Sequence, residues 1–222
     1  MTDECTPNSG EVVGTDDEAT CRDTIPEAID DAPPVRVVQR EVVHTSRAFY
    51  VRRDIQELAD GSRHPWETVI FGGSARVLPI DLDGGVYLLR QYRPLIQQHS
   101  LEAVGGRLED GEPAEEAARR ELLEETGITA RLIALGTAEL STSAVRCEEH
   151  LFLAVVESIG EARPDAFERQ TLGPLRRISL DEAVTMVMRQ EIRDLSTATL
   201  ILMAAEHVRR HGEPLVNGDS GR

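Results

Sequence analysis

The chain of 222 residues is long enough to bury a core of its own, and its formal charge of −16 argues against nucleic acid or an anionic membrane as the main partner. All 24 basic residues are arginine, so chemistry that needs a P-loop lysine or a Schiff-base lysine is excluded. Cys5, Cys21 and Cys147 form neither a disulfide framework nor a CxxC pair, which fits free thiols in a reducing cytoplasm.

Residues 1–34 hold ten acids against one arginine, Arg22, and few large apolar side chains. That composition predicts a disordered acidic tail. It lacks the apolar segment of a signal peptide, and the longest apolar runs, 151–156 and 200–205, are far too short to span a membrane. Residues 35–43 and 48–55 are rich in valine and aromatics and predict strands. Asp60-Gly61 marks a turn, and 68–71 a third strand. Residues 75–80 and 86–91, separated by Asp83-Gly84-Gly85, predict two paired strands.

A helix is predicted over 113–126. Pro113 suits its start, where a backbone N–H has no partner anyway, and Gly127 suits its C-cap. Strands follow at 128–135 and 151–156, then helices at 180–190 and 196–210, and a frayed polar tail from 212. Short strands mixed with a few helices predict a mixed α/β fold.

The first helix poses an electrostatic problem. Residues 105–128 carry eight carboxylates. Glu121 and Glu125 stand one turn apart beside Glu124, near a helix C-terminus where the backbone dipole disfavours anions. A divalent cation reverses the sign of both terms, because hard cations take carboxylate oxygens. The plainer account is a solvated helix, with Arg119 and Arg120 pairing to Glu115, Glu116 and Glu124. Gly105-Gly106, just before, would let backbone approach an ion or a phosphate.

Gly106, Glu112, Arg120-Glu121-Leu122, Glu124-Glu125 and Gly127-Ile128 stand at the spacings of the Nudix box, which this segment resembles position by position. The resemblance implies a mixed β-sheet sandwiched between helices and a metal-dependent hydrolase of nucleoside diphosphates linked to another group. It implies Mg2+ or Mn2+ held by Glu121, Glu125 and the Gly105 carbonyl, with Glu124 a helper and Glu112 and Arg120 a supporting ion pair.

RAFYVRRD from Arg47, VLPIDLDGGVYLLRQYR from Val77, SLEAVGG from Ser100 and EIRDLSTAT from Glu191 are similar to the ADP-ribose and nucleotide-sugar pyrophosphatase branch. That branch implies an antiparallel N-terminal β arm over 35–75 reaching across a homodimer, with the hydrolase domain over 76–211. Arg53 and Arg93 match its substrate-binding arginines, whose planar forks suit phosphate. Trp66 would either stack on a base or pack in the core.

Two departures stand out. Thr142-Ser143 replace the usual Pro-Gly, and Cys147 falls where a glutamate base is expected. Glu148 is the first choice for the base, then Glu149, then Glu161 of the later loop. The activity implied is hydrolysis of the pyrophosphate of ADP-ribose or a related nucleotide sugar. Hydrolysis of a triphosphate or dinucleotide, or nucleotide binding without catalysis, are the alternatives.

Overall fold

The computed structural model describes residues 34–212, and the expected acidic tail and C-terminal tail otherwise lie outside them. From Val35 onward the chain forms one unit. It opens with three long strands, β1 (Val35–Thr45), β2 (Phe49–Leu58) and β3 (Arg63–Phe71). Each is antiparallel to the next, as the valine-rich runs and the Asp60-Gly61 turn lead one to expect.

The central sheet starts with β4 (Ser74–Ile80) and β5 (Gly85–Arg93). The predicted pairing of these two is confined to Ile80 and Val86. Beyond that point the strands part, and β6 (Gln98–Glu102) pairs with β5 while β7 (Val104–Arg107) pairs with β4. Neither of these was expected as a strand, because Gln-His-Ser and Val-Gly-Gly carry little strand propensity.

Helix α1 (Ala114–Thr126) follows, then β8 (Ile128–Glu139), the short β9 (Val145–Arg146) and β10 (Glu148–Ile159). β10 lies parallel to β4 and antiparallel to β8, while β9 pairs with β3. A single turn, α2 (Glu168–Thr171), leads to β11 (Leu172–Ser179), α3 (Leu180–Met188) and α4 (Leu195–His211). The order β11-β5-β4-β10-β8 makes the larger sheet, and β1-β2-β3-β9 the smaller.

Alternation along the strands sorts the core into two layers. Ala75, Val77, Phe152 and Ala154 face α1 and meet Ala117, Ala118 and Leu122. Leu78, Ile80, Leu151 and Leu153 face the other way and meet Ala183 and Met186 of α3 and Leu200, Ile201 and Ala204 of α4. The expected sheet between helices is therefore present, with α1 on one face and α3 and α4 on the other. Among the described residues no helix is long and apolar enough to cross a membrane.

Candidate active site

Helix α1 begins with Pro113 at the capping position, and Glu115 and Glu116 in its first turn suit the positive end of the helix. It ends at Gly127, whose φ of 71° is the left-handed conformation that glycine adopts freely; its N–H donates to the Leu123 carbonyl. Between these ends Ala118, Glu121 and Glu125 fall on one stripe, and Ala118 anchors that stripe in the core. The same geometry that buries alanine therefore carries Glu121 inward, to 9% exposure.

The two glycines of β7 are what the carboxylates meet. A Cβ at Gly106 would lie 2.2 Å from Glu121 Oε1. Gly105 has a φ of 150°, and a Cβ there would lie 2.1 Å from the Ala75 carbonyl oxygen. Its N–H donates to Glu125 Oε2 at 3.1 Å. A side chain at Gly105 would drive into the backbone of β4, and one at Gly106 would displace the Glu121 carboxylate, so Gly105-Gly106 is a steric condition for the site.

A third carboxylate joins from the far end of the fold. Oxygen atoms of Glu121, Glu125 and Glu168 lie within 4.8 Å of one another. Glu168 is delivered by the segment between β10 and α2, which is tied to the end of α1. The Gly160 N–H donates to the Gly127 carbonyl at 2.8 Å, and the Arg163 N–H to the Glu124 carbonyl at 2.7 Å. The latter carbonyl is one of those the helix cannot satisfy itself. Sequence reasoning missed Glu168. The signal present was Asp165-x-x-Glu168, a reciprocal cap: Asp165 Oδ1 accepts from the Glu168 N–H at 2.7 Å, and Glu168 Oε2 from the Asp165 N–H at 2.8 Å. Such a box marks a helix start and says nothing of which site it approaches.

The electrostatics follow from burial. Loss of water pushes the Glu125 carboxyl up to about 8, with Glu121 and Glu168 adding to the rise and the Gly105 N–H and Arg76 opposing it. Burial raises Glu121 as well, against the pull of Arg120. Arg120 acts as a clamp. It donates from Nε and Nη2 to the two oxygens of Glu112, both at 2.8 Å, and from Nη1 to Glu121 Oε1 at 2.8 Å. This holds the Glu112 carboxyl down to about 2. The pair is the bidentate scaffold expected of it.

The other sequence candidates are placed differently. Glu124 is half-exposed, 3.5 Å from Arg120 Nη1, and lies outside the three-carboxylate group. Glu148 opens β10 with Oε1 3.5 Å from His150 Nε2, also outside that group. Glu149 is buried against Ser74 and Arg76 and lies outside the three-carboxylate group. Glu161 is exposed in the loop seven residues before Glu168.

Arg93 donates from Nε to both oxygens of Glu102, at 3.0 and 3.1 Å, and from Nη2 to Oε2. It also feels the charge of Glu125. Arg53 is held on the smaller sheet by Glu41 and Glu67, at 3.0 and 2.6 Å. Trp66 is not a core residue: it is 45% exposed, and its Nε1 donates to the Ser143 carbonyl at 2.9 Å, joining the 140–145 loop to β3. Cys147 is buried and its thiol is pushed up, which removes thiolate chemistry from that position.

Three carboxylates facing a backbone that only glycine permits fit a hard divalent cation, which takes oxygen ligands and binds deprotonated carboxylates.

Comparison with known proteins agrees with this geometry. The NUDIX domain model matches residues 71–198. An ADP-ribose pyrophosphatase of Bacillus subtilis (strain 168) is 28% identical over 75% of this chain and 90% of its own. An ADP-ribose pyrophosphatase of Mycobacterium tuberculosis (strain ATCC 25618 / H37Rv) is 30% identical over 70% of this chain and 75% of its own. A crystal structure of an ADP compounds hydrolase superposes with a TM-score of 0.70, at 22% identity, over 83% of this chain and 99% of that one, and shows the same fold. The box of spacings on α1, the glycine pair beneath it and the matched domain have one common explanation: the chain belongs to the Nudix family and is a Nudix hydrolase.

Proposed function

We propose that the protein hydrolyses the pyrophosphate bond of ADP-ribose or a related nucleoside-diphosphate sugar, using Mg2+ or Mn2+, to give a nucleoside monophosphate and a sugar phosphate. The observation that carries this reading is the meeting of Glu121, Glu125 and Glu168 against Gly105-Gly106. The substrate class is supported by the two relatives named ADP-ribose pyrophosphatases.

Glu121, Glu125 and the Gly105 carbonyl hold the metal in this account. When bound, it neutralises pyrophosphate charge and lowers the pKa of water. Glu168, on a segment that enters from outside the box, accepts the proton of the attacking water. It replaces Glu148 as our choice of base, because Glu168 lies with the buried carboxylates. Glu124 assists from the rim. Arg93 offers the unpaired part of its guanidinium to the diphosphate while Glu102 fixes its plane.

Arg53 binds substrate only by exchanging Glu41 or Glu67 for phosphate. The smaller sheet is the arm of a homodimer in this account: Val37, Val42, Val43, Tyr50 and Trp66 are all exposed on it, more apolar surface than a free arm needs. A cytoplasmic setting suits the free, buried Cys147.

Product analysis on a panel of ADP-ribose, GDP-mannose, UDP-glucose, dinucleotides and nucleoside triphosphates, each with Mg2+ or Mn2+, tests the substrate class. ADP-ribose or a nucleotide sugar is expected to be cut fastest, into a monophosphate and a sugar phosphate. Faster cleavage of a triphosphate or dinucleotide would overturn the class and leave the chemistry standing.

A further inference from the structure

Arg76 stands within β4, where every other residue is buried. Its backbone lies between Gly105 of β7 and Leu151 of β10. Strand alternation turns its side chain away from α1, toward the layer of Leu78 and Ile80. Glu149 of β10 lies on the same face and is 4% exposed. Arg76 Nε donates to Glu149 Oε1 at 3.3 Å, and Ser74 Oγ donates to the same oxygen at 3.3 Å. Arg76 Nη1 reaches the Gly105 carbonyl oxygen at 3.5 Å.

Gly105 is thus engaged at both polar groups. Its N–H is held by Glu125, one wall of the carboxylate group, and its carbonyl is approached by Arg76 from the opposite layer. A carbonyl oxygen has two lone pairs, so an arginine on one leaves the other for a cation. The guanidinium also has a fixed plane, and Glu149 sets that plane.

Packing gives no reason for this pair. Glu149 is out of water and Arg76 mostly so, which costs free energy for each ion, and well-packed apolar replacements of buried pairs are commonly as stable or more so. Two residues further along the same face of each strand, Leu78 and Leu151 belong to the aliphatic layer, so the face they continue is one that accepts apolar side chains. What the ions supply and aliphatic groups cannot is a directed N–H at the Gly105 carbonyl.

We propose that Arg76 and Glu149 are positioning residues: through the Gly105 carbonyl they set the affinity of the site for its divalent cation, not the stability of the fold. This rests on the reading of Glu121, Glu125 and Gly105 as metal-holding groups. Partners that orient a metal-holding group typically change metal affinity about 10–100-fold when removed.

The test is Mn2+ binding followed by calorimetry, with thermal melting in chelator, on the full chain. The proteins are wild type, Glu121→Gln, Arg76→Lys and the double variant Arg76→Met with Glu149→Leu. The double variant should melt at or above the wild-type temperature in chelator yet bind Mn2+ about 10–100-fold more weakly. Arg76→Lys keeps the charge but has one nitrogen to share between Glu149 and Gly105, so it should weaken Mn2+ binding in the same direction.

Wild-type affinity in both the double variant and Arg76→Lys would overturn the positioning role while leaving the metal site intact. If the double variant does not fold, Arg76→Lys decides alone: weakened binding supports the role and unchanged binding overturns it. Failure of wild type to bind Mn2+, or equal binding by Glu121→Gln, would sink the metal-site reading and this inference with it.

Discussion

At the scale of single residues, burial decides the chemistry. Glu125 has a carboxyl near 8 in the metal-free chain against an ordinary value of 4.5, and desolvation is the first cause. A raised carboxylate is accommodated without cost when protonated. Its contribution is therefore fully present below about pH 4.5 and is lost as pH rises toward 8. The melting temperature in chelator should carry a component that falls over that window, and Glu125→Gln should remove it. Equal pH dependence in the variant and wild type would contradict the assignment. Glu168 and Glu148 are separated by a second measurement. Glu168→Gln should lower kcat by about 10²–10⁴, the usual range for a positioned base, while Glu148→Gln should fall much less. The reverse order would restore Glu148.

Among the elements, α1 and the segment it holds form one working unit. Gly127 ends the helix in a left-handed conformation, and a Cβ there would lie 2.5 Å from the Gly160 carbonyl. Gly127→Ala should cost about 1–2 kcal/mol from backbone strain alone, so melting should drop at least about 2–4 °C. The turnover should fall too, because Gly160 begins the segment that brings Glu168. An unchanged melting temperature would contradict this account.

Much of this unit was legible in the chain. Proline and glycine gave the start and end of α1, since both are local signals. Of the two leucines expected on its buried face only Leu122 is there; Leu123 is 48% exposed, because the core packs on the stripe of Ala117, Ala118 and Leu122. The glycine strand β7 was not legible, because its strand form comes from pairing with β4 and not from propensity. Glu168 was not legible because its approach to Glu121 depends on two backbone bonds to the end of α1, made across a long loop. The Arg76–Glu149 contact depends on the parallel pairing of β4 with β10, which no nearby residue encodes.

At the scale of the whole molecule, two layers of core hold a sheet whose parted strands admit β6 and β7. That opening is what puts Gly105 and Gly106 under α1. Among the described residues, the smaller sheet supplies no residue of β1, β2 or β3 to either core layer and carries exposed apolar side chains. Sedimentation equilibrium should give twice the chain mass of 24.5 kDa, and a monomer at micromolar concentration would rule out the arm as a dimer element.

Buried carboxylates of α1 should make pyrophosphate cleavage depend on a divalent cation. The most direct measurement is release of AMP and ribose 5-phosphate from ADP-ribose, with Mg2+ or with chelator, by wild type and by Glu125→Gln. Release is expected from wild type only with the cation, with a loss on the order of 100-fold or more in the variant. Release at equal rates in chelator, or by the variant at the wild-type rate, would contradict it.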